Sequence, residues 1–146
     1  MYWMTLPLRR YADFSGRSRP KEYWMFVLFL FLGIIAMSFA DALLGFGAST
    51  HYLDRSPFGV TMGVYNRSGL LTLLFSLAAF IPSLAVAVRR LHDSNRSGWW
   101  LLFGLVPIIG TITLFIFMIV GGTRGPNRFG PDPFDSATVA DVRQSR

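Results

Sequence analysis

The chain has 146 residues, of which 52% are hydrophobic and only 15% charged, with a net charge of +6 and no cysteine. Soluble domains usually carry about a quarter charged residues, so this composition favours a membrane domain, and the length leaves no room for a second core. The lack of cysteine excludes disulfides and thiol catalysis. We interpret the positive charge as basic flanks of membrane helices, and nucleic-acid binding is not expected.

Apolar stretches of roughly twenty residues match the hydrocarbon thickness of a bilayer. After a basic and aromatic segment, Met1–Phe14, that we expect to lie along the membrane surface, the chain has three such stretches: Tyr23–Leu44, Gly69–Val88 and Gly98–Val120. We therefore predict an all-α, polytopic helical membrane protein with about three transmembrane helices. Residues 1–133 are expected to form a single helical membrane domain, and residues 134–146 a disordered tail.

Aromatic and acidic residues near the ends of these stretches fit the membrane interface. Tyr23 and Trp24 open the first stretch, and Trp99 and Trp100 open the third, as expected for an aromatic belt. Asp41 lies close to the end of the first stretch, so we prefer placement at the interface to a role in an ion pathway. Residues 45–68, rich in Gly and Ser, are predicted to form a loop.

Small residues recur on one face of each of the first two stretches. Such residues let helices approach closely in lipid, so the two faces are candidates for a helix–helix seam. The ordinary abundance of Ala and Gly in membrane helices explains the pattern nearly as well. The faces comprise Gly33, Ala36 and Ala40 in the first stretch and Ala79, Ser83 and Ala87 in the second.

Two topologies are open for the third stretch. As a single crossing kinked at Pro107, it would place the tail opposite the N-terminus, and we favour this arrangement. As a hairpin turning at Pro107–Gly110, it would fit the positive-inside rule better, but the turn would need protein cover. Because five Lys or Arg residues precede the first stretch and two follow it before the second, the N-terminus is predicted to be cytoplasmic.

Three polar clusters adjoin the apolar stretches. The first two lie on one side of the membrane, because two stretches separate them, and we expect their side chains to share an interfacial layer. Either arginine–carboxylate pairs anchor the segments there, or the excess positive charge binds anionic lipid headgroups. The candidate layer comprises Arg17, Arg19, Glu22, Arg89, Arg90, His92, Asp93 and Arg96, and a candidate tail motif comprises Asn127, Arg128 and Asp132.

These clusters, Phe14–Trp24, Arg89–Trp100 and Gly122–Pro133, resemble in order and position those of the YhaH/YhaI-type family of small bacterial inner-membrane proteins, catalogued as a domain of unknown function. The first cluster departs from the family pattern, because Pro20 stands where a basic residue is usual and Arg19 is displaced by one position. The resemblance implies a bacterial cytoplasmic-membrane location and a helical membrane fold. It implies no activity, cofactor or catalytic residue.

No reaction is indicated by the residues themselves. Adjacent His92 and Asp93 do not face each other on a helix, and no Ser–His–acid set is evident, so we expect no catalytic residue, cofactor or metal. The leading expectation is a non-enzymatic membrane component that packs with partner proteins or with copies of itself. The alternatives are a small transporter or channel subunit, or an anionic-lipid-binding membrane protein, with an enzyme acting on lipid ranked last.

Overall fold

The computed structural model describes residues 2–46, 48–56, 59–67 and 69–134. Its contacts divide the chain into two compact units: Leu30–Ala79 forms one, and Met1–Phe29 with Phe80–Arg146 forms the other, here called the polar unit. The expected disordered tail lies, except for its first residue, outside the described residues. The elements are α1 (Tyr2–Arg9), α2 (Pro20–Leu44), β1 (Ala48–Ser56), β2 (Gly59–Arg67), α3 (Leu70–Asp93), a 3-10 helix (Gly98–Leu105) and α4 (Ile109–Ile119).

Helices α2 and α3 correspond to the first two apolar stretches. They have 25 and 24 residues, and at about 1.5 Å per residue each exceeds a hydrocarbon core of about 30 Å. Both are long and apolar enough to cross a membrane by length and composition. Helix α2 starts at Pro20, since proline is tolerated in a first helical turn. Helix α3 continues past Val88 to Asp93, so the arginine pair assigned to a connector lies on its last turns.

The third apolar stretch does not form the single kinked crossing that we favoured from the sequence. It folds back as a hairpin, here called the re-entrant hairpin, whose arms are the 3-10 helix of 8 residues and α4 of 11 residues. The ring of Trp100, early in the first arm, lies 5.4 Å from that of Phe117, late in the second. Both ends of the hairpin are therefore close together. Each arm is about 16 Å long, half of what a crossing requires.

The reversal depends on residues at the tip of the re-entrant hairpin. Pro107 is followed by Ile108 at φ 64°, in the left-handed region that a branched side chain rarely adopts. Gly110 lets the arms pack closely, because a Cβ there would lie 1.7 Å from the carbonyl oxygen of Phe103. The Pro107 and Gly110 signals thus mark a turn rather than a helix kink.

Residues 45–68 differ from the predicted loop, because most of them form a two-stranded antiparallel sheet. Strands β1 and β2 pair in register from Ala48 with Arg67 to Ser56 with Gly59. β-Branched and aromatic residues in these segments, such as Thr50, Tyr52, Val64 and Tyr65, favour strands, a signal that the Gly and Ser content obscured.

Within the unit Leu30–Ala79, Asp41 fastens α2 to the start of α3. Its carboxylate accepts hydrogen bonds from the backbone N–H groups of Leu71 and Thr72, both at 2.9 Å, and from the Thr72 hydroxyl at 2.7 Å. These are otherwise unpaired donors of a helix N-terminus.

Gly33 lies against Phe75, where a Cβ would come within 2.3 Å of the ring. The close approach predicted at Gly33 is therefore made by a glycine and an aromatic ring.

Candidate functional site: a buried arginine–carboxylate layer

The polar unit brings together three segments that are distant in sequence: the residues that precede α2, the last turns of α3, and the residues that follow α4. The first two were expected to share a layer. The single crossing that we favoured would have separated the third from them, whereas the re-entrant hairpin, the alternative, returns the chain beside them. Thr123 donates its backbone N–H to the carbonyl oxygen of Asp93 at 2.9 Å, which joins the tail motif to α3.

Asp93 is the carboxylate at the centre of the layer. Its Oδ1 accepts a hydrogen bond from Arg17 Nε at 3.0 Å, and its Oδ2 accepts one from Arg90 Nη1 at 2.7 Å. The three side chains are at most 1% exposed. Charge-assisted hydrogen bonds at these distances are among the strong ones in proteins. The ion pairs inferred from the sequence therefore form, and they are buried.

The remaining donors of these two arginines reach backbone carbonyl oxygens. Arg17 donates to the carbonyls of Thr123 and Gly125, and Arg90 donates to those of Met118 and Val120. Helix α4 ends at Ile119, so Arg90 caps carbonyl groups that have no partner within that helix.

Gly122 allows the tail to pass directly beside the Asp93 carboxylate. A Cβ at this position would lie 2.1 Å from Asp93 Oδ2. By contrast, a Cβ on the neighbouring Gly121 would meet nothing within 4 Å. The layer therefore requires glycine at position 122 and tolerates a side chain at position 121.

Arg89 and Glu22 form a second, less complete pair. Arg89 Nη2 lies 3.3 Å from Glu22 Oε1, with both side chains buried. Neither that oxygen nor any guanidinium nitrogen of Arg89 has a hydrogen-bond partner among the described residues, and Ser18 Oγ also has none. The Ser18 backbone N–H donates to the Arg89 carbonyl oxygen at 3.1 Å, which holds the start of α2 against α3.

His92 and the tail motif form a stacked group at the edge of the layer. The centroids of the His92 and Phe129 rings lie 3.8 Å apart, and the rings are within 4° of parallel. The guanidinium carbon of Arg128 lies 4.7 Å from the centroid of the Phe129 ring. Asn127 donates its side-chain amide to the His92 carbonyl oxygen at 2.9 Å. Arg128 also donates to the carbonyl oxygen of Asn95 at 3.2 Å. His92 is thus part of the packing of the tail.

Asp132 closes the tail motif on itself. Its carboxylate accepts hydrogen bonds from the backbone N–H groups of Gly125, at 2.7 Å, and of Phe134, at 2.9 Å. These bonds, first that from Phe134, hold the pKa of Asp132 below its usual value.

Arg19 joins the N-terminal helix to the tail. It donates to the carbonyl oxygen of Pro133. Its guanidinium carbon lies 5.6 Å from the centroid of Trp3 and 4.6 Å from that of Phe134. Although it is displaced from the family pattern, Arg19 therefore has defined partners in this chain.

The predicted belt aromatics and Arg96 are used in different ways. Tyr23 and Trp24 pack edge to face at 5.4 Å, and Trp24 Nε1 donates to the Met118 carbonyl oxygen at 3.2 Å. Trp100 packs on Phe117, while Trp99 is 78% exposed. Arg96 lies 3.9 Å over the Phe117 ring, which pairs the connector with the second arm of the re-entrant hairpin.

Several residues that build the layer were not predicted from the sequence. Gly122 and Thr123 are small and uncharged, and their role depends on the return of the chain beside Asp93. Ser18 and Phe129 lay inside the noted motifs but carried no separate signal. In the described part of the chain, no group of three or more His, Cys, Asp or Glu residues is placed to hold a metal ion.

Comparison with known proteins assigns the chain to a family. The family model described as "Protein of unknown function (DUF805)" matches residues 11–131, which include the first two polar clusters and the third as far as Pro131. The chain belongs to this family. The resemblance stated from the motifs is thereby confirmed.

Three relatives in Escherichia coli (strain K12) match over most of their length. Inner membrane protein YhaH is 38% identical over 133 residues, which cover 91% of this chain and 97% of the relative. Inner membrane protein YhaI is 39% identical over 133 residues, covering 91% and 96%. Uncharacterized protein YiiR is 25% identical over 159 residues, covering 91% and 94%. No solved structure matches the chain.

These relatives and the two long apolar helices confirm the helical membrane fold expected from the sequence. This member of the DUF805 family is a membrane protein, and its relatives YhaH and YhaI carry the name inner membrane protein. The number of three spans is not confirmed, because two helices of spanning length and a re-entrant hairpin account for the three apolar stretches.

Proposed function

We propose that this DUF805 protein is a non-enzymatic, multi-pass component of the bacterial cytoplasmic membrane, with the N-terminus and the tail motif both on the cytoplasmic side. The observation that carries the proposal is the use made of Asp93, Arg17 and Arg90. Each is buried and is engaged by another charge of the trio, and the two arginines also bind backbone carbonyl groups. Charges arranged in this way hold segments together, which supports a structural use of this layer.

The orientation is supported by the distribution of basic residues. All 14 Lys and Arg residues except Arg55 and Arg67 fall before α2 or in its first turn, at the end of α3, in the connector, or after the re-entrant hairpin. With the tail returned to the N-terminal side, the positive-inside rule therefore favours a cytoplasmic location for both ends of the described chain.

Reporter fusions test this orientation. Green fluorescent protein fused after Phe134 should fluoresce, and alkaline phosphatase fused there should be inactive. The same phosphatase inserted between Ser56, the last residue of β1, and Gly59, the first residue of β2, should be active. An active phosphatase after Phe134 would restore the single kinked crossing and refute the proposed orientation.

A transporter or channel subunit is less well supported. Asp41, which raised the question of an ion pathway, has both carboxylate oxygens engaged by α3. A cavity of about 410 Å³ lies along the first arm of the re-entrant hairpin, but none of its lining residues is ionisable. Intramembrane transport paths typically use ionisable groups that face the interior.

Anionic lipid is the partner that the polar unit supports best. Charged residues that lie outside the buried layer are mostly basic, and near an anionic leaflet each contributes about 1 kcal/mol of attraction. Asp13 and Asp132 are the half-buried acids among the described residues of this unit, and both already accept hydrogen bonds. The exposed or half-exposed basic residues are Arg9, Arg10, Arg19, Lys21, Arg96, Arg124 and Arg128.

Packing with another membrane protein or a second copy stays a prediction. Ser83→Leu places a bulky side chain on the small-residue face of α3 and should reduce the oligomer size measured in mild detergent, since small residues allow close helix approach. An unchanged oligomer size would remove this face as the seam.

A further inference from the structure

Arg89 has buried N–H groups that find no acceptor among the described residues. Its Nε, Nη1 and Nη2 atoms are all enclosed and lack hydrogen bonds, as does the hydroxyl oxygen of Ser18. Both residues are 0% exposed. A buried polar group left without a partner costs about 1–3 kcal/mol, and more when it is charged. These donors therefore favour any acceptor that can reach them.

The charge of the layer favours an anionic acceptor. Among the described residues of the polar unit, the buried charged side chains are Arg17, Arg89, Arg90, Glu22 and Asp93, which leaves one positive charge in excess. Arg17 and Arg90 have their donors satisfied by Asp93 and by carbonyl groups. An added anion would consequently be received at Arg89.

The position of these donors matches that of phosphate groups at a membrane surface. Glu22, the nearest carboxylate to Arg89, is in the first turn of α2, and Ser18 lies two residues before that helix begins. The start of an apolar helix, with Trp24 within its first turns, places both residues at the level of the lipid headgroups. A guanidinium group binds two phosphate oxygens at once, and a serine hydroxyl supplies a further donor.

We propose that Arg89 and Ser18 form a specific site for one phosphate group, either the phosphodiester of an anionic lipid headgroup or a free phosphate ion. Glu22 occupies this site in its absence. Its Oε1 lies 3.3 Å from Arg89 Nη2 without the geometry of a hydrogen bond, and the carboxylate gives way when the phosphate binds. The segment that leads into α2 lies against the site, because the Ser18 backbone N–H donates to the Arg89 carbonyl oxygen at 3.1 Å.

The full-length protein in an uncharged detergent tests the site, with intrinsic tryptophan fluorescence and calorimetry as readouts. It is titrated separately with inorganic phosphate and with monomeric dihexanoyl-phosphatidylglycerol. Saturable binding of one equivalent of at least one of them is expected. Tighter binding of the lipid identifies a headgroup site, and tighter binding of phosphate identifies a site for the free ion; either result supports the proposal.

Four variants separate this site from general electrostatic attraction. Arg89→Gln should weaken binding about tenfold or more, because it removes a buried charged donor. Ser18→Ala should weaken it a few-fold, by loss of one neutral hydrogen bond. Glu22→Gln should tighten it, because the competing carboxylate is gone. Arg128→Gln removes the same charge from an exposed position. Its attraction is to an anionic leaflet, which monomeric ligands in an uncharged detergent do not form, so the affinity should be nearly unchanged.

The proposal fails if the unmodified protein binds neither ligand saturably. It also fails if Arg128→Gln weakens binding as much as Ser18→Ala, or if Glu22→Gln weakens rather than tightens it. Ser18→Ala and Glu22→Gln keep the test decisive if Arg89→Gln does not fold. The reporter-fusion result is independent of these titrations, so failure of the site leaves the proposed orientation standing.

Discussion

Replacing Asp93 by Asn removes the negative charge from the centre of the layer while the side chain keeps its shape. The amide keeps one oxygen that can accept a hydrogen bond from Arg17 or Arg90. Its NH₂ group then faces the other arginine, a donor against a donor. Two guanidinium groups, both 0–1% exposed, would lose their common carboxylate.

The magnitude follows from the burial of these groups. Breaking a buried ion pair by removing one partner destabilises a protein by about 3–5 kcal/mol, because an uncompensated charge stays buried. The two pairs share one carboxylate, so their costs do not add. We expect Asp93→Asn to lower the free energy of unfolding by about 3–5 kcal/mol. Asp13→Asn makes the same chemical change in a half-buried loop carboxylate bonded to Ser15, and should cost about 1 kcal/mol.

Unfolding of the purified protein in bicelles by increasing amounts of dodecyl sulfate, followed by tryptophan fluorescence, measures both variants. A combined replacement, Arg17→Met with Arg90→Met and Asp93→Leu, leaves no unpaired charge but also removes the arginine donors to the carbonyl groups at the end of α4 and just beyond it, so it should be at least as destabilising as Asp93→Asn alone. If Asp93→Asn and Asp13→Asn cost the same within about 1 kcal/mol, the carboxylate is not the buried centre described above, and the reasoning is refuted.

Three further variants test other parts of the structure. Gly122→Ala should destabilise by more than about 2 kcal/mol, because its Cβ meets Asp93 Oδ2, while Gly121→Ala should be close to neutral in the same unfolding assay. Asp41→Ala removes the acceptor of three hydrogen bonds at the start of α3 and should cost about 1–3 kcal/mol, measured as faster amide exchange at Leu71 and Thr72. The pKa of Asp132 is lowered in the folded state, so its contribution is present above about pH 4 and is lost as the pH falls through the lowered value. Asp132→Asn should abolish that part of the pH dependence, read from the Phe134 amide resonance; an unchanged profile would contradict it.

Helix length and apolar content were enough to predict α2 and α3, because a run of apolar residues in lipid has few alternatives to a helix. The shared position of the first two polar clusters also followed from the sequence, since two helices separate them. The partners within that layer did not. Whether Asp93 pairs with Arg17, Arg90 or Arg89 depends on side-chain directions at the end of α3, which sequence spacing leaves open.

For the third apolar stretch, the distribution of basic residues was given too little weight. The length of 98–120 suits one crossing, and this outweighed the charge distribution, which favoured the return of the tail. Two short arms can satisfy the same composition when Pro107 ends the first and Gly110 admits the second against Phe103. A close approach of that kind is a property of the folded chain and cannot be read from apolar content.

The return of the chain and the formation of the layer depend on each other. Arg17 binds carbonyls of Thr123 and Gly125, and Arg90 binds those of Met118 and Val120, all at the end of α4 or just beyond it. Each charge-assisted bond of this kind contributes about 1.5–3 kcal/mol. A single crossing would carry these acceptors to the other side of the membrane, leaving both arginines with Asp93 alone. The buried charges therefore stabilise the re-entrant hairpin over a third transmembrane helix, and this is a physical reason for keeping them buried.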